Sequence, residues 1–294
     1  MNNKLKIVLK GLAYIILIHV LVSLVVVFIL INPRENNITE NPEDYGLNYE
    51  EVEFKSRDGI NLQGWFIESL SEDALATVVL MHGYPENKSS LIPEASYLIE
   101  DFDVFVFDFR ALGDSEGNIS TLGAKETEDL HGALDYIKGN KRNENIFLWG
   151  FSMGGGVALQ VAPERDDVDA VVSDTSFSSM GKSVEDIFPV PVLRKTIKPF
   201  IGFWVDTLVK IDIEKVSPKK SAEKITIPVY LIHAKDDPHV SIEHGRRLEE
   251  ALIENPGLTT NFIDGRATCP DISACGTAEQ PVSEWLIEIA EEDA

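Results

Sequence analysis

Three observations predict an α/β fold with a mostly parallel central sheet, helices on both of its faces and a small cap, preceded by one transmembrane helix. Short apolar runs alternate with helix-period stretches along most of the chain, a glycine-flanked serine closes one of those runs, and Gly11 to Ile31 is an almost unbroken apolar segment. Alternation of strand and helix signals implies crossover helices lying on both faces of parallel strands. With 294 residues and 44% hydrophobic content, the chain can build one sizeable core and is not obviously long enough for two.

Within Gly11 to Ile31 only His19 and Ser23 are polar. At the helical rise this segment reaches about 30 Å, the thickness of a hydrocarbon core. Lys4, Lys6 and Lys10 precede it, and Arg34 followed by Glu35, Glu40, Glu43 and Asp44 come after. The positive-inside bias then puts the N-terminus in the cytoplasm and the remaining chain outside, as a single-pass protein of the cell membrane. The rival reading, a cleaved signal peptide, meets two objections: the run is longer than an h-region and no A-x-A-like site follows it. Residues 1–32 are read as cytoplasmic tip and anchor. Residues 33–48, rich in Asn, Pro and acidic groups, read as a linker, and 49–294 as the folded domain.

Setting aside the three anchor-proximal lysines leaves 23 basic against 49 acidic side chains, a net charge of about −26 for the remainder. That balance argues against nucleic acid as a partner, and fits either a soluble surface or a salty habitat. Cys269 and Cys275 are the only thiols. Two thiols without a nearby histidine do not make a zinc site, while a short-loop disulfide and two free thiols both stay open. No metal and no cofactor is implied.

Along the domain, Glu50 to Lys55 and Leu62 to Ile67 read as antiparallel strands around the turn Ser56-Arg57-Asp58-Gly59. Further strands are expected at Thr77 to Met81, Val104 to Phe109, Ile146 to Trp149, Ala170 to Ser173, Val229 to His233 and Asn261 to Ile263. Leu130, Leu134 and Ile137 mark a core-facing helix, as do Val282, Trp285, Leu286 and Ile289 near the end. Residues 177–224, punctuated by Pro189, Pro191, Pro199 and Pro218, break this rhythm and read as the cap. Its aromatic groups, among them Phe177, Phe188, Phe200, Phe203 and Trp204, either line an acyl pocket or pack the cap onto the core.

The sharpest motif is Ile146-Phe-Leu-Trp-Gly-Phe-Ser-Met-Gly-Gly-Gly156, an apolar strand entering G-x-S-x-G and then a helix. Such a strand–turn–helix presents its serine on a strained elbow, with glycines where side chains have no room, so Ser152 is the candidate nucleophile. An attacking serine needs donors for the developing oxyanion. The N–H of Met153 is one, and the turn after Val78-Val-Leu-Met-His-Gly-Tyr84 offers the N–H of Tyr84 as the second. His82 reads as a turn-shaping residue rather than a base.

Over residues 49–290 the sequence resembles the α/β-hydrolase superfamily, in particular its monoglyceride-lipase-like and serine-aminopeptidase-like branch. His82-Gly83, Asp108-Phe-Arg-Ala-Leu-Gly-Asp-Ser-Glu-Gly117, the elbow, and Ile227-Pro-Val-Tyr-Leu-Ile-His-Ala-Lys-Asp-Asp-Pro-His-Val240 fall in that family's order. The resemblance implies that Asp108 and Arg110 stabilise the scaffold, with Ala111 standing where glycine is usual. It selects Asp237 over the adjacent Asp236 as the acid that orients a histidine, and likens Asp174 to a structural aspartate.

The same pattern puts the triad histidine at Thr268, and no histidine follows His244. Losing that imidazole costs a serine triad roughly a million-fold in turnover, about 8 kcal/mol of barrier. Three readings therefore compete: a different histidine serves, the hydrolase is degenerate, or the sequence is an altered copy of an active one. The one substitute base to consider is His239, on the acid's own loop, although its proximity to Asp237 argues against its reaching Ser152; His244 reads as a surface residue of the next helix. The expected function is serine hydrolysis of a lipid-like or medium-chain acyl ester, or of an amide, through an acyl-enzyme on Ser152. The alternative is an impaired or non-catalytic member of the fold that binds a ligand or partner.

Overall fold

The computed structural model describes residues 2–33, 37–140, 145–188, 190–265 and 279–292. Its elements, in chain order, are α1 (Asn3–Ile31), β1 (Glu50–Lys55), β2 (Asn61–Ile67), β3 (Thr77–Met81), α2 (Ile92–Leu98), β4 (Asp103–Phe107), α3 (Glu126–Asn140), β5 (Ile146–Phe151), α4 (Met153–Val161) and β6 (Ala170–Asp174). After these come α5 (Met180–Asp186), α6 (Pro191–Val209), α7 (Pro218–Ala222), β7 (Val229–Ala234), α8 (Ile242–Leu252), β8 (Leu258–Ile263) and α9 (Glu279–Glu292).

One sheet of eight strands runs in the order β1-β2-β4-β3-β5-β6-β7-β8. β1 and β2 pair antiparallel, as does β2 with β4; every pairing from β4 through β3 to β8 is parallel. The turn into β2 closes with Gly59 at φ 92°, while the Ser56 hydroxyl donates to Asp58. β3, β4 and β7 are buried along their whole length, as a parallel sheet covered on both faces requires. On one face Val79, Phe107 and Leu148 pack with Leu130 and Leu134 of α3 and Val157 of α4. On the other, Val78, Val106 and Trp149 pack with Ile92 of α2 and with Val282 and Leu286 of α9.

Two prolines of the cap start helices. Pro191 and Pro218 occupy the first turns of α6 and α7, where a missing N–H leaves no intrahelical bond unmade. Pro199 lies inside the 19-residue α6, a cost of about 3 kcal/mol for an isolated helix that tertiary packing has to offset. Phe177, Met180 and Phe188 are buried in a cap cluster with Ile197 and Ile201 of α6, which is packing rather than pocket lining. Among the described residues α1 is the one helix long and apolar enough to cross a membrane.

Two buried ion networks explain the segment from Asp108 onward. Lys88 Nζ meets Asp108 at 2.6 Å and Asp114 at 2.8 Å and lies 4.7 Å from the centre of the Trp65 ring. Arg110 binds Asp129 and Asp58. Ala111 has φ 61°, the left-handed region in which glycine is at ease.

Candidate active site

Ser152 sits between the end of β5 and the start of α4 with φ 50° and ψ −106°, a strained backbone for a residue other than glycine. Its N–H donates to the Asp174 carbonyl at 2.8 Å, and its own carbonyl receives the first helical bond from Gly156 at 3.1 Å. The N–H of Met153 therefore lies in the first turn of α4, where no intrahelical acceptor exists. The flanking glycines are sterically required. A Cβ on Gly150 would stand 2.3 Å from the Gly154 backbone, and one on Gly154 would stand 2.4 Å from the Met81 carbonyl oxygen.

The loop after β3 runs directly over the serine: a Cβ on Gly83 would lie 3.3 Å from Ser152 Cβ. Tyr84, the next residue, follows on that loop. His82 is fully buried, with Nδ1 2.8 Å from the Gly83 carbonyl and Nε2 accepting the Phe109 N–H at 3.1 Å. A carbonyl can only accept, so the proton is on Nδ1 and both nitrogens are engaged in shaping the turn. Burial pulls the pKa of this imidazole below its usual value. At the far end of the loop Lys88 is tied to Asp108 through both its backbone N–H, at 2.7 Å, and its ammonium.

The ends of β6 and β7 bring two carboxyl groups to the same edge of the sheet. Asp237 is buried; its Oδ1 accepts the N–H groups of His239 at 2.7 Å and Val240 at 2.6 Å. Its Oδ2 is buried and has no hydrogen-bond partner among the described residues. Asp236 is exposed. Asp174 accepts the Thr175 hydroxyl at 2.8 Å, and burial pushes its carboxyl up to about 7, with that hydroxyl opposing and the nearby Asp237 charge adding to the rise.

All six histidines fall among the described residues, and none is hydrogen-bonded to Ser152. His19 contacts Ile15 and Thr196, His131 contacts Glu164, and His233 donates to the Val240 carbonyl. His244 is buried, not on the surface: its Nδ1 accepts the Ser178 N–H at 2.9 Å and its Nε2 lies 3.1 Å from Asp186. The reason is its place on the inner face of α8, where Gly245 also packs against the His233 ring. His239 is exposed, and its ring makes no bond to the open oxygen of Asp237. Thr268, Cys269 and Cys275 lie outside the described residues. A groove of about 840 Å³ lies on the cap between α6 and residues 212–214, and neither Ser152 nor Asp237 lines it.

Sequence reasoning overlooked Lys88, whose role in fixing the loop that carries Tyr84 depends on contacts with residues far along the chain. The family profile described as the alpha/beta hydrolase fold matches residues 76–209. The uncharacterized protein YfhR of Escherichia coli strain K12 is 32% identical over 226 residues, covering 74% of this chain and 72% of the relative. Lysophosphatidylserine lipase ABHD12 of Macaca fascicularis is 28% identical over 195 residues, 63% of this chain and 47% of that protein. The structure of the Pyrococcus furiosus esterase Pf2001 superposes with a TM-score of 0.72 at 25% identity, covering 88% of this chain and 99% of the esterase. The parallel sheet, the serine elbow and these likenesses agree: the chain belongs to the alpha/beta hydrolase fold family.

Proposed function

We propose that this chain is a membrane-tethered serine hydrolase acting on a lipid-like or medium-chain acyl ester, or on an amide. The observation that carries the reading is the strained Ser152, at the same sheet edge as a buried Asp237 whose second oxygen has no partner among the described residues. Asp237 Oδ2 is the acceptor that a histidine N–H would fill. Ser152 Oγ attacks the acyl carbon, and the oxyanion forms against the N–H groups of Tyr84 and Met153. Collapse expels the alcohol or amine, and water then releases the acyl group from the serine. The lipase and esterase names among the similar proteins, together with the apolar anchor, favour an acyl ester. We place the N-terminus in the cytoplasm and the hydrolase domain outside.

The proton of Ser152 needs a base, and the histidine census favours a second reading, an impaired or ligand-binding member of the family. The two are separated by labelling the full-length protein with a fluorophosphonate probe and measuring p-nitrophenyl ester turnover. The hydrolase reading expects labelling that Ser152→Ala abolishes, and an increase of about 100-fold or more in Thr268→His, the usual contribution of a placed general base. Labelling lost in His239→Ala would identify His239 as the working base. A parent and a folded Thr268→His variant that are both inert would sink the hydrolase assignment.

A further inference from the structure

His19 and Ser23, the two polar interruptions of the apolar run, both find their partners on the cap helix. His19 Nδ1 lies 2.8 Å from the Ile15 carbonyl and so donates to it, and Nε2 lies 2.9 Å from the Thr196 hydroxyl, which is also within 3.0 Å of the Val192 carbonyl. Trp204 Nε1–H donates to Ser23 Oγ at 3.1 Å, and Ser23 is fully buried. Val27 and Ile31 continue the same stripe into the cap cluster, and the Ile31 carbonyl receives the Ser120 N–H at 2.9 Å. From His19 onward α1 thus has one face against protein and one face, Leu21, Val22, Val25, Phe28 and Ile29, that is exposed and wholly apolar.

The lengths settle where a bilayer must lie. Between Asn3 and Ile18 the helix touches no other part of the protein closely enough to bury a residue. Those sixteen residues rise about 24 Å, short of the roughly 30 Å of a hydrocarbon core. Even if the membrane began at Asn3 it would reach about 6 Å past Ile18, over the stretch where α6 is docked; keeping Lys4, Lys6 and Lys10 out of the hydrocarbon only deepens the overlap. A helix lying 5–10 Å into the acyl boundary is the ordinary depth of an interfacial amphipathic helix. α6 presents a suitable surface, with Val192 73% and Phe203 59% exposed beside Leu193 and Leu208. In the same helix Arg194 donates to the Phe188 carbonyl and Lys198 is paired with Glu185 and Glu214, so these charges are held by the protein itself.

We propose that α1 and α6 form a helix pair embedded together in the bilayer, joined by the His19–Thr196 and Ser23–Trp204 bonds, so that the outer face of the cap contacts phospholipid acyl chains. This rests on reading α1 as a membrane anchor. Inside lipid the seam keeps two polar side chains satisfied, as helix pairs in membranes require.

The test uses full-length protein with Cys269 and Cys275 replaced by serine, reconstituted in phosphatidylcholine vesicles. An environment-sensitive fluorophore is attached at one new cysteine at a time: Leu17→Cys, Val192→Cys, Phe203→Cys, or Ile253→Cys at the exposed C-terminal end of α8. Doxyl-labelled lipid should cut emission about twofold or more at positions 17, 192 and 203 and leave 253 unchanged. Quenching at 17 with none at 192 and 203 would overturn the helix pair while leaving the anchor intact. No quenching at 17 would overturn the anchor, and the pair with it. In a His19→Leu, Ser23→Leu background, position 17 should stay quenched and 203 should lose most of its quenching; undiminished quenching at 203 would show that the two bonds do not hold the pair.

Discussion

Asp174→Asn removes a buried carboxyl from beneath the serine elbow while keeping an oxygen that can accept the Thr175 hydroxyl. Burial holds the Asp174 carboxyl at about 7 against an ordinary value of 3.8. Between those values the unfolded chain has lost this proton and the folded chain retains it, so stability falls as pH rises across the window. Three units at 1.36 kcal/mol each amount to about 4 kcal/mol lost above pH 7. The asparagine variant should therefore match the parent near pH 3.5 and exceed it by up to about 4 kcal/mol at pH 8, several degrees in melting temperature for a domain of this size. Urea unfolding of both proteins in the same detergent at pH 5 and pH 8 reads the difference directly. A gap that does not widen with pH would mean that Asp174 ionises normally and that the pairing of two carboxyls at this edge has been misjudged.

His244 works in the opposite direction: burial pulls it down to about 4, so the stability it permits is complete above pH 6.5 and falls by about 3 kcal/mol as pH drops through its folded value. Acid unfolding of Asp174→Asn, followed by circular dichroism, should expose that slope, which the parent partly masks. Lys88→Met should cost about 3–5 kcal/mol in thermal unfolding, because it leaves Asp108 buried and uncompensated. Ala111→Gly should gain about 0.5–1 kcal/mol by relieving a left-handed backbone, measured the same way. Gly154→Ala should destabilise by at least about 2 kcal/mol and displace Ser152, since the new methyl would meet the Met81 carbonyl; retained fluorophosphonate labelling would contradict this.

Most strands were legible because their runs are short, apolar and bounded by turn residues, and β1 because Val52 and Phe54 alternate with charged residues ahead of a turn; β1 and β3 fall where the pattern places them, β4 differs by one and two residues at its two ends, and the others by one to three residues at one end. The exchange of β3 and β4 in the sheet leaves no local trace in the sequence. α6 was obscured by Pro191 and Pro199, which weaken a helix signal even where one of them begins the helix. His244 was misjudged because a polar residue flanked by Glu243 and Arg246 looks solvated, and only the third dimension supplies Ser178 and Asp186 as partners. Ser152 and Asp237 could be picked out from local motifs. The absence of an imidazole beside them could be suspected from the sequence, but the engagement of His82, His233 and His244 elsewhere could not. His19 and Ser23 stood out as exceptions, yet nothing near them in the sequence points to Thr196 and Trp204.

The loop from His82 to Lys88 is stapled at both ends to the segment that follows β4, by the Phe109 N–H at one end and the Asp108 carboxylate at the other. A loop pinned in this way has little configurational freedom left to surrender when negative charge grows on a bound acyl oxygen. Any acyl transfer at Ser152 should then show a barrier that is mostly enthalpic, giving a straight, steep Arrhenius plot. A loop that had to close over its substrate would instead add an unfavourable entropy of activation.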